Sequence, residues 1–247
     1  MRHKTSLAAA GLLSLVGILA AGSSKASPIL FQTASGAKTS GGPVSASASF
    51  ALGTGSLDIT LNDLLVNPNN VGQLLSGLSF SINGISSGTL TSSSGTLVSV
   101  ARNGTPTYAT APSTTGWVLQ SGFDLCDICS TGKGAFAPAG LIIGPPSSGV
   151  YSNAGGSIAG NSAHNPFVSQ SATFDLSIAG LTANDTVSSV LFRFGTTYGT
   201  QTSKGECTSS GCSSTVPEPG ALALFAAGLG ALGFALAYKR RRAARQR

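Results

Sequence analysis

Apolar residues alternate with small polar ones along much of the middle of the chain. Val44, Ala46, Ala48, Phe50 and Leu52 take every second position, with Ser45, Ser47 and Ser49 between them. Leu57, Ile59 and Leu61 continue the pattern after Gly53-Thr54-Gly55, and Leu78, Phe80 and Ile82 repeat it ahead of Asn83-Gly84. A period of two puts successive side chains on opposite faces, so these stretches predict half-buried strands, and the bounding Gly and Asn residues predict hairpin turns. Shorter strand segments are expected at 89–90, 96–101, 116–120, 123–125, 141–143, 172–178 and 187–194. Only 63–77, with Leu64, Leu65, Val71, Leu74 and Leu75, has the spacing for a turn or two of helix. Many short strands with closely spaced turn signals predict an all-β domain of the sandwich or jelly-roll kind. Residues 103–116 and 144–165 are polar and aperiodic, and are expected as surface loops. The Ser/Gly runs show no fixed period that would support a solenoid.

The two ends have a different pattern. Arg2, His3 and Lys4 precede an apolar stretch from 7 to 21, and Ser24-Lys25-Ala26 follows with small residues on either side of one position. These are the three parts of a secretory signal peptide, with cleavage expected after Ala26. At the other end, Val216-Pro217-Glu218-Pro219 leads into an uncharged run from 220 to 238, and then into Lys239, Arg240, Arg241, Arg242, Arg245 and Arg247. As a helix, 221–238 would span about 27 Å, just short of a hydrocarbon core. The basic tail resists translocation and is expected to stay in the cytoplasm. The chain therefore divides into a signal peptide at 1–26, a β-rich exported domain at 27–215 and a C-terminal segment at 216–247. That last segment holds the transmembrane helix at 220–238 and the basic tail at 239–247.

This division changes the meaning of the charge. The whole chain has a net charge of +6, which taken alone would suggest nucleic acid or an anionic surface as a partner. Arg2, Lys4 and Lys25 belong to the signal peptide and six basic residues to the tail. Residues 27–238 keep only Lys38, Arg102, Lys133, Arg193 and Lys204 against eight acids, a balance near −3. The basic charge thus serves topology, and nucleic-acid binding is rejected.

Pro217-Glu218-Pro219, the Ala/Leu/Gly-rich run beginning at Ala221 and the Arg cluster from Arg240 resemble, element by element, the C-terminal signal of bacterial PEP-CTERM proteins. The resemblance implies recognition by an exosortase, a membrane-embedded cysteine protease or transpeptidase, after export by the Sec machinery and removal of the leader by signal peptidase. It implies residence in the inner membrane before processing, then on the cell surface or in the extracellular matrix of a Gram-negative-type bacterium, in association with exopolysaccharide. The same C-terminal segment also carries an ice-binding-protein label, which describes the tail and implies no ice-binding activity. Physically, two prolines stiffen the approach to the helix and remove backbone donors, leaving an extended segment that an enzyme can grip at the membrane face.

Cys126-Asp127-Ile128-Cys129 and the pair Cys207 and Cys212 are the four cysteines. In an oxidising compartment an even number points to disulfides, and four cysteines allow three pairings. Local closure of Cys207 with Cys212 is favoured by the flexible Thr-Ser-Ser-Gly run between them, leaving Cys126 with Cys129. A crossed arrangement would stabilise by roughly 4 kcal/mol in the loop-entropy model. A four-thiolate zinc site is disfavoured by the compartment, and a thioredoxin-like redox site by the loop chemistry of 130–134. No metal or cofactor is expected.

Candidate catalytic groups are sparse. His164 is the sole histidine after the signal peptide, no Gly-x-Ser-x-Gly elbow accompanies it, and beside Asn165-Pro166 it reads as a loop residue that bonds backbone. Asp58, Asp63, Asp124, Asp127, Asp175, Asp185 and Glu206 offer carboxylates for glycosidase chemistry, none marked out by its neighbours. Asp58, Asn62 and Asp63, or Asn184 and Asp185, fit no EF-hand spacing and read as turn formers. Trp117, Tyr108, Tyr151 and Tyr198 are candidates for a sugar-stacking platform, with Trp117 better placed in the core because 116–120 is strand-like. The leading expectation is a non-enzymatic surface or matrix protein. A carbohydrate-binding module and a secreted hydrolase are the alternatives.

Overall fold

A computed structural model describes residues 26–129, 140–209 and 212 of the chain. In these residues the alternating stretches become strands: β1 (Ile29–Thr33), β2 (Lys38–Thr39), β3 (Gly42–Pro43), β4 (Ala46–Gly53), β5 (Ser56–Asp63), β6 (Leu75–Ile82) and β7 (Thr89–Val100). There follow β8 (Pro106–Tyr108), β9 (Val118–Gln120), β10 (Asp124–Cys126), β11 (Ile142–Ile143), β12 (Phe167–Ser177), β13 (Val187–Phe194) and β14 (Thr202–Cys207). The fold is all-β. The expected helical turn within 63–77 is a single 3-10 turn at Val71–Gln73, closed by a capping box in which Asn70 and Gln73 satisfy each other's backbone donors. Among the described residues no helix is long and apolar enough to cross a membrane. Residues 1–25 of the signal peptide expected at 1–26, and the transmembrane helix expected at 220–238, lie outside the described residues.

The strands form one hydrogen-bonded sheet in the order β8-β7-β12-β5-β4-β1-β14-β13-β6-β10-β9, with a separate β2–β3 hairpin. Short β11 pairs with both β12 and β6, stitching distant parts of the path together. The expectation of a sandwich had two separate sheets. Instead, a single sheet wraps round its core and is sealed by β1, which pairs with β4 on one side and β14 on the other. Closing a sheet on itself leaves fewer free edges to template aggregation.

Alternation decides which side chains enter the core. Ala46, Ala48, Phe50 and Leu52 of β4 are fully buried, as are Leu57, Ile59 and Leu61 of β5. Phe50 meets Phe80 of β6 edge-on with ring centroids 5.1 Å apart, and Phe80 stacks on Phe123 at 5.1 Å. Since β4 and β6 are far apart along the sheet, these contacts span the interior and hold opposite walls together. Outward positions of β4, β5, β12 and β7 form registered polar rows, such as Ser49, Thr60, Thr173 and Ser94.

Several elements differ from the sequence reading. Residues 89–90 and 96–100 belong to one long strand, β7, because pairing with β12 carries the intervening polar residues. Strands β1, β8 and β14 and the β2–β3 hairpin carry little apolar alternation, and their partners hold them through the backbone. The stretch 144–165, expected as a surface loop, buries Tyr151 and Ile158 in a second hydrophobic cluster with Leu74, Val98, Val100 and Phe167.

Phe80 is 2% exposed and sits between two aromatic partners. Phe80→Ala is expected to lower unfolding free energy by about 3–5 kcal/mol, read from urea denaturation of the exported domain. A loss below about 1 kcal/mol would mean that the walls do not meet through this side chain.

Candidate functional site

The first and last strands lie side by side. In the antiparallel pairing of β1 with β14, Phe31 sits opposite Cys207 and Thr33 opposite Gly205. The chain therefore enters and leaves at the same end of the sheet. Just beyond β14, Thr208 N donates to Leu30 O at 2.9 Å, and Leu30 N donates to Ser209 Oγ at 3.0 Å. Cys207 and Cys212 are joined by a disulfide, Cα to Cα 5.9 Å, which closes this segment into a clasp. Ala26 N donates to Leu52 O at 3.0 Å, so the entering end is fastened to β4 beside the clasp.

A second group of polar residues lies near the other disulfide, Cys126–Cys129, whose Cα atoms are 5.6 Å apart. Asp127, between the two cysteines, is 5% exposed, and its Oδ2 has no hydrogen-bond partner among the described residues. Burial pushes its carboxyl up to about 7. Gly140 packs against this carboxylate: a Cβ there would come within 2.5 Å of Oδ1, and its φ of +139° favours glycine as well. Trp117 is 3% exposed, donates from Nε1 to Gly140 O at 2.8 Å and packs against Phe174 with centroids 5.2 Å apart. It is a core residue, as the strand-like segment around it predicted.

On the outer face of the β13–β6–β10 wall, Asp124 forms an ion pair with Arg193 and accepts a hydrogen bond from the Tyr198 hydroxyl. The Arg193 guanidinium also lies over the Tyr198 ring, 4.7 Å from its centroid. The hydrogen bond to Asp124 raises the Tyr198 phenol, with burial adding to it. Sequence reading missed this cluster because nothing local links residues separated by 69 and 74 positions. Asp63, at the end of β5, is buried, and desolvation raises its carboxyl well above the usual range even though backbone donors at Leu65, Leu75 and Gly144 pull the other way.

The remaining candidates are spread over the molecule. His164 Nδ1 contacts Ser157 O at 2.6 Å, the backbone-bonding role expected of a loop histidine. Tyr151 is buried and donates to Gly144 O at 2.9 Å, while Tyr108 and Tyr198 are exposed, so the four aromatics do not form one platform. Asp58 and Asp175 are cross-strand neighbours on the outer face, and Ser92 donates to Asp175. Asp185 accepts from Thr182 N at 2.7 Å, the turn-forming role expected of it. A cleft of about 250 Å³ lies elsewhere, lined by residues including Ser99, Thr107, Asn161 and Ser162.

Pro217, Glu218, Pro219 and the basic tail from Lys239 to Arg247 lie outside the described residues, and the sequence itself carries their assignment. Residues 215–242 match the family model of the PEP-CTERM protein-sorting motif. The chain carries a PEP-CTERM sorting signal. Such a signal marks an exported protein that an exosortase processes. The match covers the tail and leaves the β domain to be read from its own structure. Comparison with curated proteins and with solved structures finds no match. The disulfide clasp at the end of β14 stands directly ahead of the sorting segment.

Two expectations follow. The folded-state pKa of Asp127 is raised, so its protonated form favours folding. That contribution is fully present below about pH 4 and is lost as pH rises through about 7. Asp127→Asn should therefore leave stability nearly unchanged at pH 4 and raise it by roughly 2–4 kcal/mol at pH 8, measured by urea unfolding. An equal effect at both pH values would show that ionisation of Asp127 is irrelevant. With Cys126 joined to Cys129 and Cys207 to Cys212, thiol labelling of the denatured, unreduced protein should find no free cysteine. Stoichiometric zinc together with four reactive thiols would contradict the disulfides.

Proposed function

We propose that this PEP-CTERM protein is a non-catalytic component of the cell surface or extracellular matrix. The observation that carries the reading is the sorting motif at 215–242 placed directly after a disulfide-clasped β domain. The Sec machinery exports the chain and signal peptidase removes the leader after Ala26. The helix at 220–238 holds the precursor in the inner membrane, with the tail from Lys239 to Arg247 on the cytoplasmic side. The exosortase then acts at or near Pro217-Glu218-Pro219, releasing the closed β domain into a layer of exopolysaccharide.

The distribution of polar chemistry supports a structural role. The lone histidine of the exported domain is engaged with backbone, and Asp124 is neutralised by Arg193. A domain held by buried aromatics and two disulfides suits an oxidising compartment. Carbohydrate binding is the second reading. The cleft near Ser99, Thr107 and Ser162 favours it, since its size suits a single sugar ring. A hydrolase has less support, because the facing carboxylates Asp58 and Asp175 lie on the outer face of a sheet.

Intact-mass measurement of protein extracted from the cell surface tests the main reading. The mature form should begin at Ser27 and end between Val216 and Pro219, alone or with an adduct. Replacing Pro217, Glu218 and Pro219 with alanine should leave the full tail attached and the protein in the inner membrane. A wild-type protein that still ends at Arg247 would reduce the segment to an ordinary tail anchor. A glycan array with the exported domain separates the two binding readings: specific retention on one sugar would favour the carbohydrate-binding module.

A further inference from the structure

The processing of the tail, on which this inference rests, meets a constraint set by the fold. Cys212 is fixed by its disulfide to Cys207, and Cys207 is the last residue of β14. Five peptide units separate Cys212 from Pro217, a reach of at most about 18 Å even when fully extended. An enzyme that holds Pro217-Glu218-Pro219 in its active site therefore works within about 18 Å of Cys212, at the end of the β domain from which the chain leaves.

That end can be named from the hydrogen bonds. Ile29 at the start of β1 lies opposite Phe50 of β4, Gly55 N donates to Leu181 O at 2.9 Å, and Ile178 N donates to Gly55 O at 3.0 Å. Val187 at the start of β13 pairs with Ile82 at the end of β6. The entering chain, the 54–55 turn, the 179–186 loop and the clasp thus share one pole. The long loops occupy the opposite pole, where Tyr151 N donates to Gly104 O, Gly160 N to Val100 O and Gly195 N to Leu74 O. The terminal pole has short turns and small polar side chains, among them Thr54, Thr182, Asn184, Thr186 and Thr208. Among its described residues Asp185 and Glu206, beside the clasp, are acidic, and Lys and Arg are absent. Anionic lipid headgroups attract basic segments, so this pole does not suit a lipid surface, whereas a polar face with few charges suits contact with a protein.

We propose that the terminal pole is a docking surface for the processing enzyme, and that the Cys207–Cys212 clasp sets the distance at which that enzyme receives the sorting motif. The clasp acts as a positioning device. It stops the end of β14 from peeling away from Leu30 and keeps the connection to Pro217 short. The pole that carries the long loops and the cleft faces away from the enzyme and the membrane during processing.

Photo-crosslinking in the producing cell tests this with the full-length precursor and a tagged processing enzyme. A crosslinking residue replaces Thr54 or Thr182 at the terminal pole, or Thr107 or Ser162 at the opposite pole. Adducts to the enzyme are expected from the first pair and not from the second. Inserting 20 Gly/Ser residues after Cys212 should lower the terminal-pole adducts by about tenfold, since effective concentration falls steeply with linker length. Equal adducts from both poles, or adducts indifferent to the longer connection, would overturn the proposal. A precursor shortened near Pro217-Glu218-Pro219 that gives no terminal-pole adduct would overturn the docking surface alone. A precursor that is never shortened would remove the sorting reading beneath it.

Discussion

The pairing of β1 with β14 is the interaction on which the rest of the fold depends. Leu30 and Ser209 are 179 residues apart in the chain and hydrogen-bonded in space. Bringing such distant residues together costs about 4–5 kcal/mol of loop-closure entropy beyond a constant term. The cost is offset because β14 is hydrogen-bonded along both edges, to β1 and to β13, and so joins two halves of the sheet that are otherwise linked by short β11. Without β14 the path breaks, β1 and β13 expose free edges, and Phe31 and Phe192 lose the cover of a continuous wall. A chain exported from its N-terminus cannot complete this sheet until residue 207 has crossed. Folding and delivery of the sorting segment are thus coupled by order of emergence, with the seal forming as the tail reaches the membrane.

The interior balances this closure against buried charge. Asp63 and Asp127 lie among apolar neighbours, where an ionised carboxylate is expensive, and both respond by holding their protons more tightly. Their environments differ. Asp63 accepts from Leu65 N at 3.0 Å and fixes the end of β5 where β6 and the 144–165 segment converge. Asp127 lacks comparable donors among the described residues and sits between two linked cysteines, where the disulfide rather than a hydrogen-bond network holds the backbone. Asp124, by contrast, has Arg193 and Tyr198 to compensate it, bringing polar groups from two strands and a loop together.

How much of this was legible in the sequence depended on whether side chains or backbone partners hold each element. The inward positions of β4, β5, β6 and β13 were readable because a half-buried strand imposes alternation on its residues. β14 was not, because Thr202–Cys207 is polar throughout and its place between β1 and β13 comes from backbone bonding. The centre of β7 was hidden for the same reason. Tyr151 and Ile158 were assigned to a loop because their cluster is assembled from residues scattered between Leu74 and Phe167, which leaves no periodic trace. The sorting tail was legible at once, since an enzyme and a membrane read it as a linear segment. The Asp124–Arg193–Tyr198 cluster was illegible because it exists only in three dimensions.

The two poles of the domain follow different constraints. At the terminal pole the β4–β5 turn at 54–55 is tight because those two strands pair directly with each other, while β6 reaches β7 through 83–88 and β12 reaches β13 through 178–186. At the opposite pole, 64–74 and 144–165 are free to extend, and they have built a second cluster whose buried Tyr151 and Ile158 make that end rigid rather than loose. Separating the functions in this way lets variation accumulate in the long loops without disturbing β1, β14 or the clasp. A protein tethered by one end gains from this arrangement, since contacts made by the loop-bearing pole with its surroundings need not compete with the enzyme that handles the tail. The polar rows on the outer face of β4, β5, β12 and β7 run between the two poles and expose hydroxyls with few charges. Hydroxyls at these positions keep the outer face hydrated while adding little electrostatic attraction to charged surroundings.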